Sequence, residues 1–309
     1  MSVRLPLSVQ TRQMLLGLQR TQDRLAQNTQ RISSGQRITN PGDDPAGSAL
    51  ILDLGTSLGA NTQFQQQMDS ALSFLQGTGT ALSSVTDSLT QLLQLGQQGL
   101  SDLTSASGRA ALASSVDGIE TNLVGLANTQ IQGKYIFSGT TTLTQPFTQN
   151  AGGTVVYNGN LTTALNPNTY SLNVSQSSSV VMNVPGDTLF FGANGSGSNT
   201  DLFQAVNDLS TGLKANNSAN IQSAYGRLQG ILSTLTQAET DVGGRVSRLN
   251  DLKTIVSSQS LSLQSMQNTV QDTNYPDAIT QFTSDQTVQS ATLNALGKTN
   301  QPNLFNYLG

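Results

Sequence analysis

The residues with the most chemical promise are two adjacent carboxylates, Asp43 and Asp44, in the stretch RISSGQRITNPGDDPAG. Paired carboxylates can move protons or hold a hard cation. The same stretch also reads as a joint. Gly35 closes a helical run, Pro41 and Gly42 make a turn, and Asp44 before Pro45 is a helix start. A carboxylate there caps free N–H groups, and proline in the first helical turn loses nothing. Neighbours on a turn rarely converge on one ligand, and no third ligand lies nearby, so the turn-and-cap reading is preferred.

The wider chain offers little else for catalysis. It has no His and no Cys. That removes Ser-His-Asp and Cys-His arrangements, thiolate metal sites, disulfides and the HExxH zinc motif. The segment GANGSGSNT, 192–200, lacks the lysine of a phosphate loop. No catalytic, metal or cofactor-binding residue is assigned, and the chain is not expected to be an enzyme. Arg4, Arg12, Arg20, Arg24, Arg31 and Arg37 could bind an anionic surface. Three of them, Arg20, Arg24 and Arg31, follow the helix period away from the apolar stripe, which favours a solvated or partner-facing side. This Arg-rich start also fits the pattern of a transit peptide.

The composition sets the frame for the elements. Charged residues make up 10% of the 309-residue chain and the net charge is −4. Ser, Thr, Asn and Gln fill about two fifths, well above ordinary usage. This balance favours neither nucleic acid nor an anionic membrane as partner. No apolar run approaches the roughly 18 residues of a membrane span, and a signal-peptide core is missing at the N-terminus.

Hydrophobic periodicity predicts a mainly α chain: a long helical bundle or coiled coil built from the N- and C-terminal regions, with a small β-rich domain inserted in the middle. Residues 1–44 form an N-terminal helix and linker whose thin stripe is Met14, Leu18, Leu25 and Ile32. Residues 45–134 and 201–275 form the helical body. Leu50, Leu54, Leu58, Asn61, Gln65, Met68, Leu72 and Leu75 make a first seam, GTGT at 77–80 is read as a turn, and Leu82, Val85, Leu89 and Leu92 resume it. The body's strongest heptad is Val242, Leu249, Val256, Leu263 and Val270, read chiefly as intramolecular core. Pro276 is read as an interruption. Residues 276–309 hold a last helix with Ile279, Phe282, Leu293 and Leu296. Between the body halves, 135–200 carries strand-like runs in GTVVYNGN, NTYSLNVS and SSVVMNVPGDTLFF. Thin-seamed end helices bury too little to stand alone and invite pairing with each other and with partners.

RISSGQRITNPGDDPAG resembles the N-terminal segment of the flagellin superfamily. QIQGKYIFSGT, 130–140, and the ending LFNYL, 304–308, are similar to its hook-associated protein 3 branch. This resemblance implies a structural subunit of the bacterial flagellum, extracellular, exported without a cleaved signal by the flagellar type III apparatus. It implies a ring of copies between the other hook–filament junction protein and the flagellin filament, and an export chaperone beforehand. It also implies that the terminal helices line an inner tube and often order only on assembly. A filament flagellin with a small outer domain is the alternative within the superfamily. An enzyme or ligand-binding protein using the insert is the alternative outside it, and the insert lacks converging titratable groups.

Overall fold

In a computed structural model of the chain, residues 7–150, 153–164, 166–175, 178–192 and 194–299 are described. Arg4 and LFNYL lie outside them. The elements run α1 (Leu7–Ser34), α2 (Pro45–Leu100), α3 (Ala106–Ala127), β1 (Gln130–Ile131), β2 (Lys134–Tyr135), β3 (Phe147–Gln149), β4 (Val155–Tyr157), β5 (Ser171–Asn173), β6 (Ser179–Val181), α4 (Leu202–Lys214), α5 (Ser218–Gln271) and α6 (Tyr275–Thr299). One turn of π-helix, Asp187–Phe191, precedes α4. The fold is mainly helical with a small β-containing insert, as the periodicity predicts. Among the described residues no helix is long and apolar enough to cross a membrane.

The chain divides into two compact units, residues 1–60 with 259–309, and residues 61–258. Both dividing points fall inside uninterrupted helices, α2 and α5. The second unit holds the continuous apolar core. Leu82, Val85, Leu89 and Leu92 of α2, Val116 and Leu123 of α3, Leu209 of α4, and Leu228 and Leu235 of α5 are fully buried in it. Arg109 sits buried at the end of α2, where carbonyls lack helical partners. Its Nε donates to Gly99 O at 2.7 Å and its Nη2 to Ser101 O at 3.1 Å. A cation there also suits the negative end of the helix dipole.

Several expectations need correction. GTGT is helix, because α2 passes through it unbroken. Gly77 is a packing point: a side chain there would collide with Ile131. Thr78 and Thr80 return their hydroxyls to Phe74 O and Gln76 O at 2.9 and 3.1 Å, so neither releases the helix. The heptad series does stop just before Pro276: α5 ends at Gln271, and Pro276 lies in the first turn of α6, where its missing N–H costs nothing. The seam residue Leu50 is 45% exposed, while Leu54, Asn61, Met68, Leu72 and Leu75 are buried.

In the insert, each strand pairs antiparallel only with its chain neighbour, β1 with β2, β3 with β4 and β5 with β6. GTVVYNGN, NTYSLNVS and the start of SSVVMNVPGDTLFF are strands, but DTLFF is the π-helical turn. Its Phe190 and Phe191 join Phe137, Phe147 and Phe203 in an aromatic cluster whose ring centroids lie 5.0 to 6.1 Å apart. Burying these rings needs a turn rather than an alternating strand, since adjacent residues of a strand face opposite ways. The signature GKYIFSG supplies the plug of this cluster. Gln132 and Gly133, at φ 52° and 75°, form the two-residue turn between β1 and β2. Ile136, Phe137 and Ser138 are then buried.

Candidate assembly site

The joint between α1 and α2 lies entirely in the first unit. Gly35, at φ 72°, ends α1 and donates its N–H to Arg31 O at 2.9 Å. A side chain at this position would meet the Tyr275 hydroxyl at 2.9 Å. The next residues run antiparallel to the break between α5 and α6. Gln36 bridges Asp272, Arg37 N–H donates to Gln271 O at 2.7 Å, and Thr273 N–H donates to Gly35 O at 2.8 Å. The Arg37 guanidinium adds bonds to Val270 O at 3.0 Å and to Asp44 Oδ2 at 3.2 Å.

The two acids divide their work within this joint. Asp43 accepts from Asn40 N–H at 3.0 Å and from Thr39 N–H and Oγ1 at 3.2 Å, folding the turn. Those backbone donors, Asn40 first, hold its carboxyl below the usual carboxylate range. Asp44 accepts from Gly47 N–H at 2.9 Å and caps α2. That bond, followed by Arg37, lowers its carboxyl too. Pro41, Gly42 and Pro45 are exposed around them. Sequence reasoning missed Gly47 and Ile38. A Cβ at Gly47 would stand 2.6 Å from Ile38 Cδ1 and 2.7 Å from Asp44 Oδ2, so the final glycine of DDPAG admits both the cap and the buried Ile38.

Beyond the joint α1 and α6 run side by side. Gly35 lies by Tyr275, and Arg24 reaches Asp285, so numbers fall on one helix as they rise on the other. On α1 the half-buried or buried positions include Thr11, Met14, Leu18, Thr21, Leu25, Asn28 and Ile32, with Arg31 beside the last. On α6 they include Ala278, Phe282, Asp285, Gln289, Thr292 and Leu296. Both series step by three and four, the spacing of a coiled-coil seam. The sites buried most deeply are polar or small: Thr21, Asn28, Ala278 and Asp285. Both terminal helices are therefore formed and paired in this structure, through a seam whose apolar residues are mostly half-buried.

The expected apolar residues divide between this seam and the outside. Met14, Leu18, Leu25, Ile32, Phe282 and Leu296 are half-buried, whereas Ile279 and Leu293 are 50% and 51% exposed. Leu15, Leu16 and Val288 are exposed as well. The body heptad behaves similarly along its length. Val242, Leu249 and Val256 are buried, and Leu263 and Val270 are half-buried.

One titratable group stands out elsewhere. Glu120 of α3 is buried and accepts from Gln149 Nε2 at 3.3 Å. Burial first, and the Asp117 charge second, push its carboxyl up to about 7. Asp117 itself pairs with Lys214 at 2.8 Å. Among the described residues, none of the groupings of His, Cys, Asp and Glu could hold a metal ion.

Comparison with known proteins supports the resemblance read from the sequence. Residues 8–142 match the family model for the bacterial flagellin N-terminal helical region. Over 293 residues the chain is 26% identical to flagellar hook-associated protein 3 of Salmonella typhimurium, covering 87% of each. It is 22% identical over 278 residues to the flagellar filament 30.7 kDa core protein of Treponema maltophilum, covering 90% and 89%. Its fold matches a putative flagellar hook-associated protein from Vibrio parahaemolyticus with TM-score 0.66 and 19% identity, over 74% of this chain and 99% of that one. The chain is thus flagellin-like in its N-terminal helices, and its relatives include flagellar hook-associated protein 3.

Proposed function

We propose that this flagellin-superfamily chain is a non-enzymatic structural subunit of the bacterial flagellum, a junction adaptor between the hook-side junction protein and the flagellin filament. The observation that carries this reading is the α1–α6 pair. The deepest positions of its own seam are polar or small, its apolar seam residues are only half-buried, and Leu15, Leu16, Ile279, Val288 and Leu293 face outward. Helices so arranged gain their apolar burial from further chains rather than from each other. Neighbouring copies in a ring, the other junction protein and flagellin are the partners in this reading. Low charge suits many like copies packed closely, since repeated like charges repel. Export unfolded through the flagellar type III apparatus, with a chaperone beforehand, completes it. The flagellum outside the cell is then its location, and it needs no cofactor.

A filament subunit is the second reading, favoured by the similarity to the Treponema filament core protein. Electron microscopy of cells lacking the gene separates the two. A junction subunit leaves bare hooks, with flagellin released into the medium. A filament subunit leaves the junction proteins on the hook and no secreted flagellin. Normal filaments in the deletion strain would overturn both.

A further inference from the structure

The apolar seam of the α1–α6 pair does not define how the two helices align. Leu18, Leu25 and Ile32 recur every seven residues, so a slip of one heptad replaces an apolar residue with an apolar residue. The joint ties the two helices at one end, through Arg37 N–H to Gln271 O and Thr273 N–H to Gly35 O, and along the helices themselves a second contact must hold the alignment. We infer that Asp285, held by Arg24 and Asn28, is the register key of this pair.

The geometry is specific. The Asp285 side chain is 8% exposed. Its Oδ1 accepts from Arg24 Nε at 3.2 Å and its Oδ2 from Asn28 Nδ2 at 3.4 Å. Arg24 Nη2 also approaches Thr21 Oγ1 at 3.4 Å, and that hydroxyl is anchored on Gly17 O at 3.0 Å. A slip in one direction replaces Arg24 with Gly17 and leaves a buried carboxylate without a guanidinium. A slip in the other direction offers Arg31, but replaces Asn28 with Gly35, where α1 ends. Only one of the three alignments gives the carboxylate both partners. Asp285 is buried while Arg24 is 54% exposed, so the pair adds little net stability, yet stranding the buried carboxylate without a partner is unfavourable. The key therefore selects the alignment while keeping the pair weak. This inference concerns contacts within one chain and stands or falls independently of the proposed function.

The absence of cysteine makes the test clean. Cysteine pairs introduced into the full chain report the alignment by oxidation. Leu18→Cys with Thr292→Cys reports the alignment seen here. Leu25→Cys with Thr292→Cys and Thr11→Cys with Thr292→Cys report the two slips. With the key intact, the first pair should close and the slipped pairs should form roughly tenfold less. Adding Asp285→Leu and Asn28→Leu should raise the slipped pairs several-fold and raise amide-exchange protection of α1 and α6. Asp285→Asn keeps the shape without the charge and should give an intermediate yield of slipped pairs. Slipped pairs still suppressed in the double variant, slipped pairs forming freely with the key intact, or no closure of the first pair would each overturn the inference.

Discussion

Glu120 carries the clearest pH signature of any single residue. Its folded carboxyl titrates at about 7, against an ordinary value of 4.5. Between those values the folded state binds more protons than the unfolded state. Stability must therefore fall as pH rises through this window and level off above it. Glu120→Gln removes the slope. The variant should match the parent at about pH 4 and exceed it by on the order of 1–3 kcal/mol at about pH 8. Urea unfolding at both conditions measures this, and equal stabilities at the higher pH would refute it. Asp44 was legible as a cap because Asp-Pro at a helix start satisfies a local rule. Asp285 was not, although it sits on the same three-and-four series as Phe282 and Gln289. An acid on a polar helix looks solvated until its partner, far away in the chain, is placed beside it.

At the scale of elements, local rules and tertiary contacts compete. The heptad Val242, Leu249 and Val256 was readable because seven-residue spacing and burial coincide there. GTGT was misread because glycine marks both turns and close packing, and only the presence of Ile131 beside Gly77 distinguishes them. β3 escaped notice because Phe147 owes its place to Asn128 of the α3 C-terminus. Asn128 donates to Phe147 O at 2.8 Å and accepts from its N–H at 2.9 Å. Ile279 and Leu293 were grouped with Phe282 and Leu296 by composition, yet helix geometry divides them between two faces. The same geometry gives a prediction for α1. Leu25→Asp places a charge in the half-buried seam with α6. It should block incorporation into flagella while leaving the thermal unfolding of the 61–258 unit within about 0.5 kcal/mol of the parent. Loss of that unit's transition would show that the terminal pair supports the body.

For the whole molecule, apolar burial is unequal between the two units. The continuous core lies within residues 61–258, whereas the terminal pair depends on polar contacts and half-buried side chains. Deleting the last twenty or so residues removes Thr292 and Leu296 from the α6 seam. Incorporation should be lost, while the body keeps the cooperative unfolding typical of a packed core. Normal assembly of the shortened protein, scored by electron microscopy, would contradict this. The small β-containing insert within a mainly helical chain was visible in the sequence, because composition changes sharply there. The pairing of the two linkers was not, since backbone hydrogen bonds leave no trace in residue type.

Those paired linkers have a consequence for the order of events. Arg24 and Asp285 are 261 residues apart in the chain, and Gly35 waits equally for Thr273. Any process that delivers the polypeptide from its N-terminus, whether synthesis or passage through a channel, presents α1 long before its partner exists. The first helix then remains open until residues 273–285 arrive, and contacts this distant in sequence form late. Closure of the pair thus reports that delivery has reached α6, a point that a chain ended before it cannot pass.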